Sequence, residues 1–390
     1  MKRRTLTAFI SVLSLTMHGQ DITSVLRDIE RNNLGLQALL TGNKALVYDR
    51  KVDNSLDAAS VEYSPFFRKG AAGVASSELV VSQEFDFPTL YAARAKAGRL
   101  QERALYMEWQ AARRDILLAA KLRCLDLVML GKARKVLQER MNNASDLLVL
   151  FEKRMKEGDA TSLELNKIRM ETMDLRTELL QNETEIRAAR QELTALNANR
   201  PLVLDGLAYS ETAAGESPAA QREEIVGNDA AVRSAEASMA VSEQELRVSG
   251  QGWLPRISVG YRRNTEMNEA SNGFMVGAAF PIFSNGNKVK AAKARKAAAQ
   301  LYLDNAKAQA ESETDARLQE LQRLEDALRV YDLDLMERSL GLLRKAVSAG
   351  SMSLIDYYAE ADGIYGRWQA YLTLEKQYQV LLATLGKNSL

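Results

Sequence analysis

Apolar residues recur at alternating steps of four and three over long stretches of this chain. Leu137, Met141, Ala144, Leu148, Phe151 and Met155 form one series. After Gly158 comes another: Ile168, Thr172, Leu175, Leu179, Asn182, Ile186, Ala189, Leu193 and Leu196. Two more follow later, Leu333, Met336, Leu340, Leu343 and Val347, then Leu354, Tyr358, Ala361, Tyr365, Trp368 and Leu372. This spacing is the heptad seam of paired helices, with Thr172 and Asn182 as polar interruptions. The stretch from Leu90 to Glu157 holds no proline, so as one helix it would reach roughly 100 Å at about 1.5 Å per residue. No ordinary globular core needs a rod of that length.

Elsewhere the period changes from seven to two. Leu79, Val81, Phe85 and Phe87 alternate with Val80, Ser82, Glu84 and Asp86. Ile257, Val259 and Tyr261 alternate with Ser258, Gly260 and Arg262, and Phe274, Val276, Ala278 and Phe280 with Met275, Gly277 and Ala279. Each run predicts a strand with one apolar face, of the length that crosses a bilayer in a β-barrel. A fourth strand is expected from Phe66 to about Val74, where Arg68, Lys69 and glycines weaken the alternation. The polar segment Asn264 to Gly273 is expected to be an extracellular loop.

The chain repeats itself. Pro65 and Pro255 are 190 residues apart, Pro88 and Pro281 are 193 apart, and Gly158 and Gly350 are 192 apart. Pro201 and Pro218 fall between, where a linker would join two copies. The predicted organisation is a removable leader at 1–20, a first repeat at 21–205 and a second at 206–390. Each repeat runs helix, β-hairpin (about 62–88 and about 255–283), long helix, glycine break, helix.

Four strands cannot close a barrel, and an open sheet edge cannot exist in lipid. Three copies would supply twelve strands, an even number that closes. The same symmetry would gather the long helices into a tube. The expected fold class is therefore mainly α, with coiled-coil helices forming an α-barrel, four strands per chain contributing to a trimeric twelve-stranded β-barrel, and an internal two-fold repeat. The competing reading is a soluble periplasmic coiled-coil scaffold or adaptor whose hairpins are ordinary edges.

Lys2, Arg3 and Arg4 precede a short apolar run from Leu6 to Met17, and Gly19 follows, which is the order of a secretory signal. The only histidine, His18, lies inside it, and Cys124 is the only cysteine. A mature chain without histidine excludes Ser-His-Asp triads, Cys-His pairs and His-ligated metals. Loss of three leader charges leaves 49 basic residues against 51 acidic ones, no electrostatic footprint for nucleic acid. No Gly-rich phosphate loop and no catalytic, cofactor or metal site is expected. The thirteen methionines are scattered, mostly at seam positions, and Cys124 is expected to be buried.

The segments ERNNLGLQAL from Glu30, VGNDAAVRSAEA from Val226, WLPRISVGY from Trp253, AFPIFSNGNK from Ala279 and AGSMSLIDYYAEAD from Ala349 resemble the TolC-like outer-membrane efflux factor family in order, spacing and duplication. The resemblance runs from about Asp21 to Leu390. It implies a homotrimer in the outer membrane, surrounded by lipid, with a helical tunnel in the periplasm. It also implies two partners, a periplasmic adaptor and an inner-membrane efflux pump, and a passive duct that needs no enzyme activity.

The resemblance places the adaptor-facing tips at Lys156, Glu157, Gly158, Asp159 and Ala160, and at Ala349, Gly350 and Ser351. It places an aperture acid at Asp356, whose first-repeat counterpart is Glu164. A second acid expected of the family is replaced by Ala359, and a basic latch residue by Met352. Asp356 and Glu164 also fit a simpler reading, as acids at helix N-termini that complement the macrodipole. Tyr357 and Tyr358 could pack between helices or face the lumen. Trp253, just before a strand, suits an interfacial anchor or simple packing.

Overall fold

The computed structural model describes residues 21–70, 73–209, 218–266, 269–281 and 285–390. The leader with His18 and Gly19 lies outside them, as does Phe283. The elements in order are α1 (Ile22–Asn32), α2 (Leu34–Val52), β1 (Ser60–Phe66), β2 (Ser76–Phe85), α3 (Pro88–Glu157) and α4 (Ser162–Leu196). Then follow α5 (Pro218–Gly227), α6 (Ala230–Gly250), β3 (Arg256–Glu266), β4 (Glu269–Ala279), α7 (Asn285–Arg329), α8 (Leu333–Ser348) and α9 (Leu354–Leu385). Helix pair, hairpin, long helix and return helix thus occur twice.

The contacts divide the chain into two units. One comprises 1–32, 119–213 and 324–380, the other 33–118, 214–323 and 381–390. The first is a packing of long helices. Ile168, Leu175, Asn182 and Ala189, spaced by seven on α4, are all buried. The buried Asn182 is satisfied on one side only: its Nδ2 donates to the Leu130 carbonyl at 3.1 Å, while its buried Oδ1 has no partner among the described residues. The Thr172 hydroxyl donates to the Ile168 carbonyl of its own helix at 2.9 Å. Cys124 is fully buried, and burial pushes its thiol up to about 12. Met155 is the expected seam residue that does not follow: it is exposed at the end of α3.

In the second unit, α2 and α6 begin in the same way. The Asn33 side chain accepts from Leu36 N, and the Asp229 carboxylate accepts from Ala231 N and Val232 N. Between the helices lies one antiparallel sheet, in the order β1-β2-β3-β4. Its register puts Val61, Val81, Tyr261 and Phe274 side by side across all four strands. By alternation, Tyr63, Leu79, Phe85, Ile257, Val259 and Val276 share that face. Phe274 is 92% and Val276 77% exposed. The opposite face carries Glu62, Glu78, Glu84, Arg256 and Arg262, with Arg262 paired to Glu78 at 2.7 Å. Arg256 meets Asp57, Glu84 and Asp86. Small residues let the strands close up: a Cβ on Gly260 would sit 2.8 Å from the Val81 carbonyl oxygen.

Three expectations change. The first strand is Ser60–Phe66, not Phe66 to Val74. The glycines that spoiled the alternation form the connection, with Gly70 and Gly73 at φ +90° and Ala75 N bonded to the Phe66 carbonyl. The polar stretch from Asn264 to Gly273 is mostly strand, since the β3-β4 ladder continues to Glu266↔Glu269. Backbone pairing, not apolarity, holds it. Finally, the second long helix breaks between Arg329 and Leu333, where Asp332 caps α8 by accepting from Leu335 N at 2.9 Å.

Candidate functional site

The expected tips are two helix turns in the first unit. Glycine in the left-handed region ends both preceding helices: Gly158 has φ +83° and Gly350 φ +76°. Asp159 N reaches back to the Arg154 carbonyl at 2.8 Å, and Ser351 N to the Ala346 carbonyl at 3.0 Å. These six-residue closures are Schellman motifs, which leave Lys156, Glu157, Asp159, Ala349 and Ser351 exposed.

The helices that leave the turns also start alike. Thr161 accepts from Glu164 N, while a Glu164 carboxylate oxygen accepts from Thr161 N at 2.8 Å, a capping box. In the second turn Ser353 Oγ accepts from Asp356 N at 3.1 Å and donates to the Asp356 carboxylate at 2.7 Å. Glu164 and Asp356 thus occupy equivalent positions, each with one carboxylate oxygen engaged in a cap. Glu164 is half-buried and Asp356 exposed.

Beneath the turns, Leu147, Phe151, Leu165, Ile168, Val347, Leu354, Tyr357, Tyr358 and Ala361 form one apolar cluster. Met352, at the position where the family resemblance expects a basic residue, packs against it. The two tyrosines are buried and meet edge to face at 5.3 Å, so packing is their role within the chain. Burial pushes the Tyr357 phenol up to about 12 and raises that of Tyr358 further.

Two arginines join the helical hairpins, and sequence reasoning missed both. Arg154, near the end of α3, donates to the Ser348 carbonyl at 2.7 Å and to the Val347 carbonyl at 3.3 Å. It thereby caps α8, where a cation complements the helix dipole. Arg140 pairs with Glu171 of α4 at 2.7 Å and Asp362 of α9 at 3.0 Å, and lies 4.5 Å from the Tyr365 ring. Neither could be found from local spacing, because the partners are up to 222 residues distant. Trp253 is exposed just before β3. No described helix is long and apolar enough to cross a membrane, which says nothing about strands.

Residues 222–387 match the family described as Outer membrane efflux protein. No curated protein matches the chain. Among solved structures, the outer membrane protein VceC from Vibrio cholerae superposes with a TM-score of 0.70 at 16% identity, over 94% of this chain and 95% of that one. The Campylobacter jejuni CmeC outer membrane channel gives 0.70 at 16% identity, over 94% and 85%. The Neisseria gonorrhoeae MtrE outer membrane channel, in its open state, gives 0.66 at 15% identity, over 94% and 88%. At such identities the agreement is one of fold, and it extends over nearly the whole chain.

Proposed function

We propose, on the premise that this chain carries the Outer membrane efflux protein domain on the fold of TolC-like outer-membrane channels, that it works as a passive trimeric duct. Its place is the outer membrane, with the helical part in the periplasm. One observation carries the reading. The four-stranded sheet is apolar on one face and polar on the other, and both edge strands, β1 and β4, are open. Such a sheet is stable in a bilayer only when further copies close it. Three copies give twelve strands, with the apolar face toward lipid and the Glu/Arg face toward a water-filled lumen.

The two turns at Gly158 and Gly350 are the periplasmic tip that meets an adaptor protein. Asp356, repeated threefold, lines the aperture with carboxylates that attract cations, and Glu164 contributes beside it. The duct breaks no bonds and carries no nucleotide motif, so an inner-membrane pump supplies the energy. Deletion of the gene should sensitise cells to exported compounds, and the intact chain should restore efflux from an outer-membrane fraction. Recovery of the chain in the soluble periplasmic extract would instead favour a scaffold without a pore.

A further inference from the structure

α2 and α3 leave an open groove of about 620 Å³ between them. Two bonds set the antiparallel register of the helices that frame it. Asn43 Nδ2 donates to the Leu105 carbonyl at 2.9 Å, and Trp109 Nε1 donates to the Leu36 carbonyl at 3.2 Å. In that register the lining is polarised. Leu40, Tyr106 and Trp109 lie at one end, with the two rings stacked at 5.9 Å. Lys44, Lys51, Arg99 and Arg103 lie toward the other, and Glu102 is the one acid that lines the groove.

The four cations are exposed, and none forms an ion pair among the described residues. Lys51 only sits over the Tyr48 ring, at 5.3 Å. Their neighbours on the same two helices differ: Arg50 pairs with Glu245 at 3.2 Å and Arg94 with Asp86 at 2.7 Å. Beside the unpaired charges, Tyr48 is 65% and Tyr106 49% exposed. Neither feature stabilises the chain alone, since like charges repel and apolar ring surface is disfavoured in water. An anion with an apolar body answers both.

We infer that this groove binds a small anionic amphiphile, its aromatic or aliphatic body against Leu40, Tyr106 and Trp109 and its acidic head among the lysines and arginines. The volume suits one molecule of that kind. A bilayer lipid does not fit the place. α3 leaves the sheet at Pro88, and Trp109 lies twenty-one residues along it, about 32 Å from that start. The site is complete within one chain, so its test and the test of the multi-copy duct are separate.

The full chain with Trp253→Phe and Trp368→Phe, which keeps Trp109 as its one tryptophan, is placed in phosphatidylcholine nanodiscs and titrated with anilinonaphthalene sulfonate. The expected result is saturable quenching of Trp109 with energy transfer to the dye. Lys44→Gln with Arg103→Gln should weaken binding several-fold. Glu102→Gln should tighten it, a direction that misfolding does not produce. N-phenylnaphthylamine, which lacks the sulfonate, should bind more weakly and respond to neither change. Absence of saturable quenching, as when another copy covers the groove, would overturn the site. Equal effects of the substitutions on both dyes, or none on either, would overturn the anionic head. Quenching of Trp109 by discs of brominated phosphatidylglycerol, without dye, would give the groove to a membrane lipid and overturn the small ligand.

Discussion

Arg154 and Ser348 lie 194 residues apart, and a guanidinium Nη2 of the first sits 2.7 Å from the carbonyl oxygen of the second. The contact ties the end of α3 to the end of α8, so the two hairpin turns share one capping group. A charge-assisted bond to a helix C-terminus is worth about 1–2 kcal/mol in a partly sheltered site. Arg154→Ala should therefore speed amide exchange at 345–351 by about tenfold, with little change in the sheet. Hydrogen exchange read by mass spectrometry checks this, and unchanged protection would show that the turn holds without the arginine.

Gly158 and Gly350 should tolerate substitution poorly for a conformational reason. A Cβ on Gly158 meets nothing within 4 Å, and one on Gly350 meets only Arg154 Nη2 at 3.7 Å. Space is available, but the left-handed backbone costs a β-branched residue about 1–2 kcal/mol or more. Gly350→Val should loosen the turn and weaken adaptor capture in a pull-down, whereas Gly350→Asn should be much milder. Equal behaviour of the two variants would contradict the assignment.

Asp356 holds a cap and, in the proposed trimer, a charge at the aperture. Asp356→Asn keeps a side-chain acceptor for the Ser353 hydroxyl and removes the charge, so melting should change little while block by multivalent cations in planar bilayers weakens. Asp356→Ala should lose both. Cation block unchanged in Asp356→Asn would confine this residue to its cap.

Alkaline pH should destabilise the helical unit. The Tyr357 phenol rises from 10.0 to about 12 because burial penalises the phenolate. The unfolded chain releases that proton first. Tyr357 therefore contributes stability fully below about pH 10, and the contribution is lost as pH climbs to about 12. Unfolding followed by circular dichroism across this window should shift to higher pH in Tyr357→Phe. An unshifted midpoint would remove Tyr357 from the alkaline transition.

The two sheet faces should respond oppositely to charge. Val276→Arg, on the apolar face, should cost about 2–4 kcal/mol at mid-bilayer depth and block membrane assembly. Ser271→Arg, on the polar face of the same strand, should assemble. Heat-modifiable migration on gels distinguishes them, and equal tolerance would mean that the apolar face does not meet lipid.

How much of this was legible in the sequence depended on the range of the cause. The α4 seam was readable because seven-residue spacing survives in a single helix, and even its polar members, Thr172 and Asn182, have local or near-helix partners. Three strands were readable from alternation. β1 was misplaced because Pro65 and the serines around Tyr63 hide its face, and the ladder to β2 that defines it starts at Ser60. The break before α8 had one local signal, Asp332 as a capping acid, which was masked by apolar residues on both sides. At the turns the glycines were legible. Arg154 and Arg140 were not, because nothing in their own helix specifies the carbonyls and carboxylates they reach.

The central claim is that several copies of this chain form one duct in the outer membrane. Native mass spectrometry of the detergent-extracted outer-membrane fraction tests it most directly. The account predicts a complex of three chains. A single chain, or a chain found only in the soluble periplasmic extract, would contradict it.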